Sequence, residues 1–263
     1  MRRKAEKECQ MKIAVAGKGG VGKTTLTVWL GDYLSRKDKD VWLVDADTAL
    51  SLGPALGLSE VDLPPPLVRQ QGLIQERVGS GGFINMNPRV DDLLESLSRE
   101  ARGMHLMLMG TVAGAGSGCG CAPNTLLKAT LAHLLVRSAQ RVLVDLEAGV
   151  EHLGRGTISS VDGLVVVSEP SIRGLQTASR ISSMARDLGL HRQALVLNRA
   201  AEGFEPPRDM ALPQVAARIP FLESLEERQQ ESASVLDLPE REQIDELCQQ
   251  VLAQFERELS SES

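Results

Sequence analysis

Apolar residues fall along the chain in two alternating rhythms. Short runs, apolar at nearly every position, occupy residues 12–16, 41–45, 106–109, 141–145, 164–167 and 194–198. Runs apolar on both faces suit strands of a parallel sheet covered by helices on either side. Between them the spacing becomes helical: Leu26, Leu30 and Leu34; then Leu126, Leu127, Leu131, Leu134 and Leu135; then residues 172–188. The alternation predicts an α/β fold with a doubly wound, mostly parallel sheet. Residues 52–102 break the rhythm, with Pro64-Pro65-Pro66 and a Gly-rich stretch at 79–82, and are expected to form an irregular insertion. Ile244, Leu247, Val251, Leu252 and Phe255 share one face of a predicted C-terminal helix over 240–259, whose other face is acidic and Gln-rich. That face lacks the basic residues of a membrane-surface helix, so the helix is expected to pack on the domain.

Composition narrows the function classes. The chain has 263 residues, 42% hydrophobic and 24% charged, with a net charge of −6. This is globular composition without the basic field that nucleic acid or an anionic membrane requires. No run approaches the roughly 18–20 apolar residues of a membrane span. Residues 1–10 read as a disordered extension and 11–263 as one domain. Arg2-Arg3 suggests an export signal, but the apolar run after it ends in the Gly17-Lys18-Gly19-Gly20 loop with no cleavage-site pattern. Cys9, Cys119, Cys121 and Cys248 make no disulfide framework, so reduced thiols and a cytoplasmic location are expected.

Gly17-Lys18-Gly19-Gly20-Val21-Gly22-Lys23-Thr24 matches G-x-x-x-x-G-K-[ST] between a predicted strand and a predicted helix. The glycines let successive N–H groups turn toward a β-phosphate, and the following helix adds the positive end of its dipole. Lys23 is expected to reach the β/γ-phosphates and Thr24 to ligand Mg²⁺, with Thr25 next to them in the nucleotide site. Val142-Leu143-Val144-Asp145 is an apolar strand ending in an acid, and Asp145 is expected to hold the Mg²⁺ water shell. Asn198 follows another strand, where asparagine commonly reads the base. Recognition of guanine would need an acid at position 201, which is Ala201, so ATP is favoured over GTP.

Lys18, directly after the first glycine, makes the loop resemble that of the deviant Walker A ATPases, which include the nitrogenase iron protein and the MinD and ParA ATPases. The resemblance implies that Lys18 reaches across a homodimer interface to the other subunit's nucleotide, supplying a cation for developing charge. It also implies that Asp47 orients the attacking water and that Asp45 supports Mg²⁺ or the first switch, and that Gly149 meets the γ-phosphate through its N–H as part of the second switch. Thr48 stands where many members carry proline. Lys18, Lys23 and Asp47 are thus the candidate catalytic residues.

Cys119-Gly120-Cys121 follows a Gly-rich stretch and precedes a helix that Pro123 is expected to open. Two thiols one residue apart cannot complete a tetrahedral site, but two copies about a two-fold axis supply four sulfurs. On its own the pair can also be read as two buried thiols in a tight turn. Cys119-Gly120-Cys121-Ala122-Pro123-Asn124, taken with Asp145-Leu146-Glu147-Ala148-Gly149-Val150-Glu151-His152 and the run to Thr157, resembles the CooC type of accessory ATPase. These support nickel insertion into carbon monoxide dehydrogenase and acetyl-CoA synthase. The resemblance implies an ATP-dependent dimer that binds nickel through Cys119 and Cys121, with one of those enzymes as client. Four thiolates accept Zn²⁺ readily and Ni²⁺ with a preference for planar geometry, so the metal itself does not follow. An iron–sulfur carrier would be expected to show C-x-x-C, and a MinD-like or ParA-like regulator a basic surface or tail. Glu147 and His152 read as parts of the second switch, His105, His133 and His191 as structural or solvated, and Met104, Met107 and Met109 as core.

Overall fold

The computed structural model describes residues 11–37, 40–79, 84–110, 121–137, 141–147, 149 and 160–259. Among these residues, eight strands form one sheet: β1 (Met11–Gly17), β2 (Val41–Ala46), β3 (Ser98–Ala101), β4 (Met104–Leu108), β5 (Arg141–Leu146), β6 (Gly163–Ser168), β7 (Gln193–Asn198) and β8 (Gln214–Ile219). Their order is β3-β4-β2-β5-β1-β6-β7-β8, and every neighbouring pair is parallel except β3 with β4. The helices are α1 (Lys23–Ser35), α2 (Leu52–Ala55), α3 (Gln71–Val78), α4 (Leu93–Ser96), α5 (Cys121–Arg137), α6 (Ile172–Asp187), α7 (Glu223–Glu231) and α8 (Arg241–Leu259). The doubly wound parallel sheet expected from the two-faced apolar runs is present.

Strand alternation builds two cores. Ile13 and Val15 of β1, Val165 and Val167 of β6 and Val196 of β7 face one side, against Leu26 and Leu30 of α1 and the Ile244, Leu247, Val251 and Phe255 stripe of α8. Ala14, Ala16, Leu164, Val166 and Leu195 face the other, against Leu126, Leu131, Leu134 and Leu135 of α5 and Leu175 and Ile181 of α6. Residues 52–102 add Leu67, Ile74, Val78, Leu93 and Leu94 to this second core, with α3 packed on α5. Met107 and Met109 are buried there, and Met104 is buried on the opposite side.

The sequence reading missed two strands, β3 and β8. Both are sheet edges: β3 is four residues long with Arg99 and Glu100 exposed, and only Ala217 and Ile219 of β8 are buried. Charged, short edge strands resist further pairing and leave little apolar signal. β4 begins at Met104, two residues before the expected start. α5 begins at Cys121, so Pro123 lies within the first turn instead of opening it; its missing N–H has no intrahelical partner there in any case.

Phe255 is 2% exposed, and its ring lies on the β6 backbone: a Cβ added to Gly163 would sit 2.3 Å from it. Phe255→Ala is expected to lower stability by about 3–5 kcal/mol. Urea unfolding checks this, and a loss below about 1 kcal/mol would mean that α8 is peripheral to the core.

Candidate functional site

The carboxyl ends of β5, β1 and β6 meet at the middle of the sheet, where the chain's two directions of winding part, as expected for ligand sites of open α/β sheets. The phosphate loop leaves β1 there and turns into α1. Gly22 caps α1 in the left-handed region, at φ 95°, and a Cβ on it would lie 2.5 Å from Asn198 Nδ2. Only glycine satisfies both conditions. Asn198, at the end of β7, donates from Nδ2 to the Val21 carbonyl at 2.8 Å and so holds the loop from the far half of the sheet.

Lys23 is buried, and its Nζ donates to the Lys18 carbonyl at 3.4 Å. The Lys18 side chain, with Gly19 and Gly20, is exposed on the crest. Thr24 donates its hydroxyl to Asp145 Oδ2 at 2.6 Å. Asp145 is fully buried, and its Oδ1 has no hydrogen-bond partner among the described residues. An orphaned carboxylate oxygen beside a threonine hydroxyl is a donor set suited to a hard cation such as Mg²⁺.

Parallel register sets Asp45 directly beside Asp145. Burial pushes the Asp145 carboxyl up to about 7, further raised by Asp45 and Asp47 and opposed by the Thr24 hydroxyl and Lys23. Burial likewise pushes Asp45 up to about 6, opposed by the Leu52 and Asp47 N–H groups. Those N–H groups donate to Asp45 Oδ2 at 2.8 Å and Oδ1 at 3.1 Å. Asp47 in turn accepts from the Ala49 N–H at 3.0 Å and the Thr48 hydroxyl at 3.3 Å, so the loop after β2 is wound on two carboxylates.

A cavity of about 100 Å³ adjoins Gly20, Gly22, Thr25 and Asn198. Its wall includes Phe221, which follows β8, and Glu226 and Gln229 of α7. None of these three was anticipated, because β8 was not seen and α7 buries no side chain. Gly149 is buried; Glu147 is the last described residue before it, and His152 lies outside the described residues, as does Cys119. Cys121 is the first residue of α5. Among the described residues no cluster of His, Cys, Asp or Glu is arranged to hold a metal, and no helix is long and apolar enough to cross a membrane.

Residues 12–238 match the model of the CobQ/CobB/MinD/ParA nucleotide-binding domain. The chain belongs to that family. Within it, the chain is 41% identical over 238 residues to the carbon monoxide dehydrogenase accessory protein CooC of Rhodospirillum rubrum, covering 87% of this chain and 90% of that protein. It is a member of the CooC group. The fold is that of the MinD of the MinC:MinD complex of Aquifex aeolicus, with a TM-score of 0.66 and 19% identity over 93% of this chain and 96% of that one. MinD of Pyrococcus horikoshii, solved with Mg-ADP, matches with a TM-score of 0.61 and 20% identity over 92% and 96% of the two chains.

The carboxyl pair carries a pH signature in the nucleotide-free protein. Both groups keep their protons to higher pH folded than unfolded, so the native state binds more protons between the ordinary 3.8 and about 7. Stability therefore falls as pH rises through that window and levels off above it. Asp145→Asn is expected to raise the melting temperature at about pH 8, by roughly 2–4 °C per kcal/mol relieved, and to give no gain near pH 4. Thermal unfolding at the two pH values tests this; an equal gain at both would assign the effect to packing.

Proposed function

We propose that this protein is an ATP-hydrolysing metallochaperone that assists nickel insertion into carbon monoxide dehydrogenase or acetyl-CoA synthase. The observation that carries the reading is the similarity to CooC over 87% of this chain and 90% of that protein, in a chain that has Cys119 shortly before α5 and Cys121 as its first residue. The site geometry supports the nucleotide half of it. The phosphate loop N–H groups wrap the β-phosphate, and Lys23 exchanges the Lys18 carbonyl for the β/γ-phosphate oxygens. Thr24 and Asp145 would hold Mg²⁺, which when bound with ATP supplies positive charge against the phosphate oxygens. Asp47 orients the attacking water, its position fixed through Asp45. Asn198 and the cavity beside it take the nucleoside.

Lys18, exposed on the loop crest, reaches the nucleotide of a second copy, so hydrolysis requires a homodimer. The same two-fold axis brings two Cys119–Cys121 pairs together as four thiolates for Ni²⁺, with Zn²⁺ as competitor. The working unit is a single P-loop ATPase domain in the cytoplasm that binds neither nucleic acid nor membrane.

Lys18→Ala is expected to keep nucleotide affinity while losing about 10²-fold or more in turnover together with ATP-driven dimerisation. Near-normal turnover would remove Lys18 from the reaction. The decisive experiment is metal content with solution mass on reduced, Ni²⁺-loaded protein, comparing wild type with the Cys119→Ser/Cys121→Ser double variant, with and without a non-hydrolysable ATP analogue. About one metal per two chains, absent from the variant, is expected from four shared thiolates. Metal-free protein that still dimerises on nucleotide would favour a MinD-like regulatory switch, and iron with sulfide in protein purified without oxygen would favour an iron–sulfur carrier.

A further inference from the structure

α7 brings Glu226 and Gln229 to the wall of the cavity beside the phosphate loop, yet its own sequence gives it little to stand on. Leu225 is its single apolar residue and is only half-buried, and no side chain of the helix is fully buried. A helix this short and polar is marginal by itself. Its place in the fold must come from the chain that follows it.

That chain is a strap, residues 232–238, whose Val235, Leu236 and Leu238 are buried in the same core as α1. Both backbone groups of Val235 are committed to other elements. Its N–H donates to the Ala55 carbonyl of α2 at 3.0 Å, and its carbonyl accepts from the Trp29 indole Nε1 of α1 at 2.8 Å. The strap is tied to α7 at two points: the Ser232 N–H donates to the Arg228 carbonyl at 2.8 Å, and Arg228 Nη2 donates to the Asp237 carbonyl at 3.1 Å. α7 thus hangs from the strap, and the strap from α1 and α2.

α1 is also the helix that opens with Lys23 and Thr24 of the phosphate loop. Trp29 lies less than two turns along it from Lys23, roughly 9 Å of rise. The phosphate cradle and the support of the opposite cavity wall are therefore fixed on one helix. Trp29 is 3% exposed and borders the cavity. Bulk alone does not call for tryptophan here, since a phenyl ring would fill most of the space; the indole adds an N–H. The Val235 carbonyl belongs to a residue shielded from solvent, and without that donor it is left buried and unpaired.

We propose that Trp29 is a positioning residue for the nucleoside: by its hydrogen bond to Val235 it fixes α7, and with it Glu226 and Gln229, at a set distance from the phosphate loop. The inference rests on the reading of the cavity as the nucleoside site, and it adds the residue that holds the wall of that site. The loop itself binds the phosphates, so loss of the hydrogen bond weakens only the part of the affinity that the nucleoside supplies.

The test separates nucleoside from phosphates. Dissociation constants for a non-hydrolysable ATP analogue and for inorganic tripolyphosphate, each with Mg²⁺, are measured by titration calorimetry on full-length, reduced wild type, Trp29→Phe and Arg228→Ala. Wild type is expected to bind the analogue at least about tenfold more tightly than tripolyphosphate. Trp29→Phe, which keeps an aromatic ring and removes the donor, is expected to weaken the analogue about 5–10-fold and tripolyphosphate by less than about twofold. Arg228→Ala lies outside the cavity and cuts a tie between α7 and the strap; it is expected to move the same ratio in the same direction, by about 2–5-fold.

An unchanged ratio in Trp29→Phe would overturn the positioning role. Equal losses of both ligands would overturn it too, by assigning Trp29 to the integrity of α1. A shifted ratio in Trp29→Phe with none in Arg228→Ala would make Trp29 a direct contact of the nucleoside in place of a support for α7. Wild type that binds tripolyphosphate as tightly as the analogue would instead remove the nucleoside reading of the cavity, and the inference with it.

Discussion

Two carboxylates sit side by side in the middle of a sheet, and most of the site is arranged around that fact. Asp45 and Asp145 are the next-to-last residues of β2 and β5; parallel pairing leaves them opposite one another, both fully buried. Charging either one away from water is costly without partners. The structure meets the cost unevenly. Asp45 is satisfied by two backbone N–H groups, which is why the loop after β2 winds back on itself. Asp145 receives the Thr24 hydroxyl and the field of Lys23, and its other oxygen has no partner among the described residues. Two adjacent buried carboxylates are an electrostatic cost of the kind that functional sites retain at the expense of stability.

Topology explains how residues so distant in sequence arrive together. From β1 the chain passes to β2 and on to the edge strand β3, turns back into β4 beside β2, reaches β5 beside β1, and then crosses to β6 and winds outward on the other side. The phosphate loop therefore lies between a half that ends in Asp45 and Asp145 and a half that ends in Asn198. Each half contributes a hydrogen bond to the loop or its helix: Asp145 to Thr24, and Asn198 to Val21. Displacement of the loop is felt in both halves, a precondition for a nucleotide to organise more than its own pocket.

The parts of this arrangement that the sequence disclosed are those in which one backbone requirement leaves a local trace. Glycines at fixed spacing mark the phosphate loop, and runs such as Val41-Trp42-Leu43-Val44 mark strands buried on both faces. The edge strands left no such trace, since β8 is half exposed and carries Arg218, and β3 is mostly charged or polar. With β8 hidden, α7 and its Glu226 and Gln229 had no place in the site. α7 buries nothing of its own; it is held by Ser224 donating to Glu240 and by Arg228 donating to the Asp237 carbonyl, contacts that exist only after the chain has folded. Asp45 was legible as a candidate but its use was not: hydrogen bonds from Leu52 to its side chain and from Gly110 to its carbonyl cannot be read from spacing.

The positions of the cysteines and of the exposed lysine bear on whether one dimer can serve both. β4 and β2 are adjacent and parallel, so the chain leaves β4 at the same rim of the sheet from which the Asp47 loop and the phosphate loop emerge. Lys18 is exposed on that rim. A two-fold axis brings like residues together only if they lie close to it, and elements leaving one rim of one sheet can share an axis where elements on opposite rims cannot. In the proposed dimer, closure through this rim would set each Lys18 against the partner's nucleotide and the two cysteine segments against each other. The charge that Lys18 adds at one phosphate and the thiolates gathered at the axis would then depend on the same approach of two chains, so that hydrolysis, by loosening that approach, would weaken the metal site without any contact between metal and nucleotide.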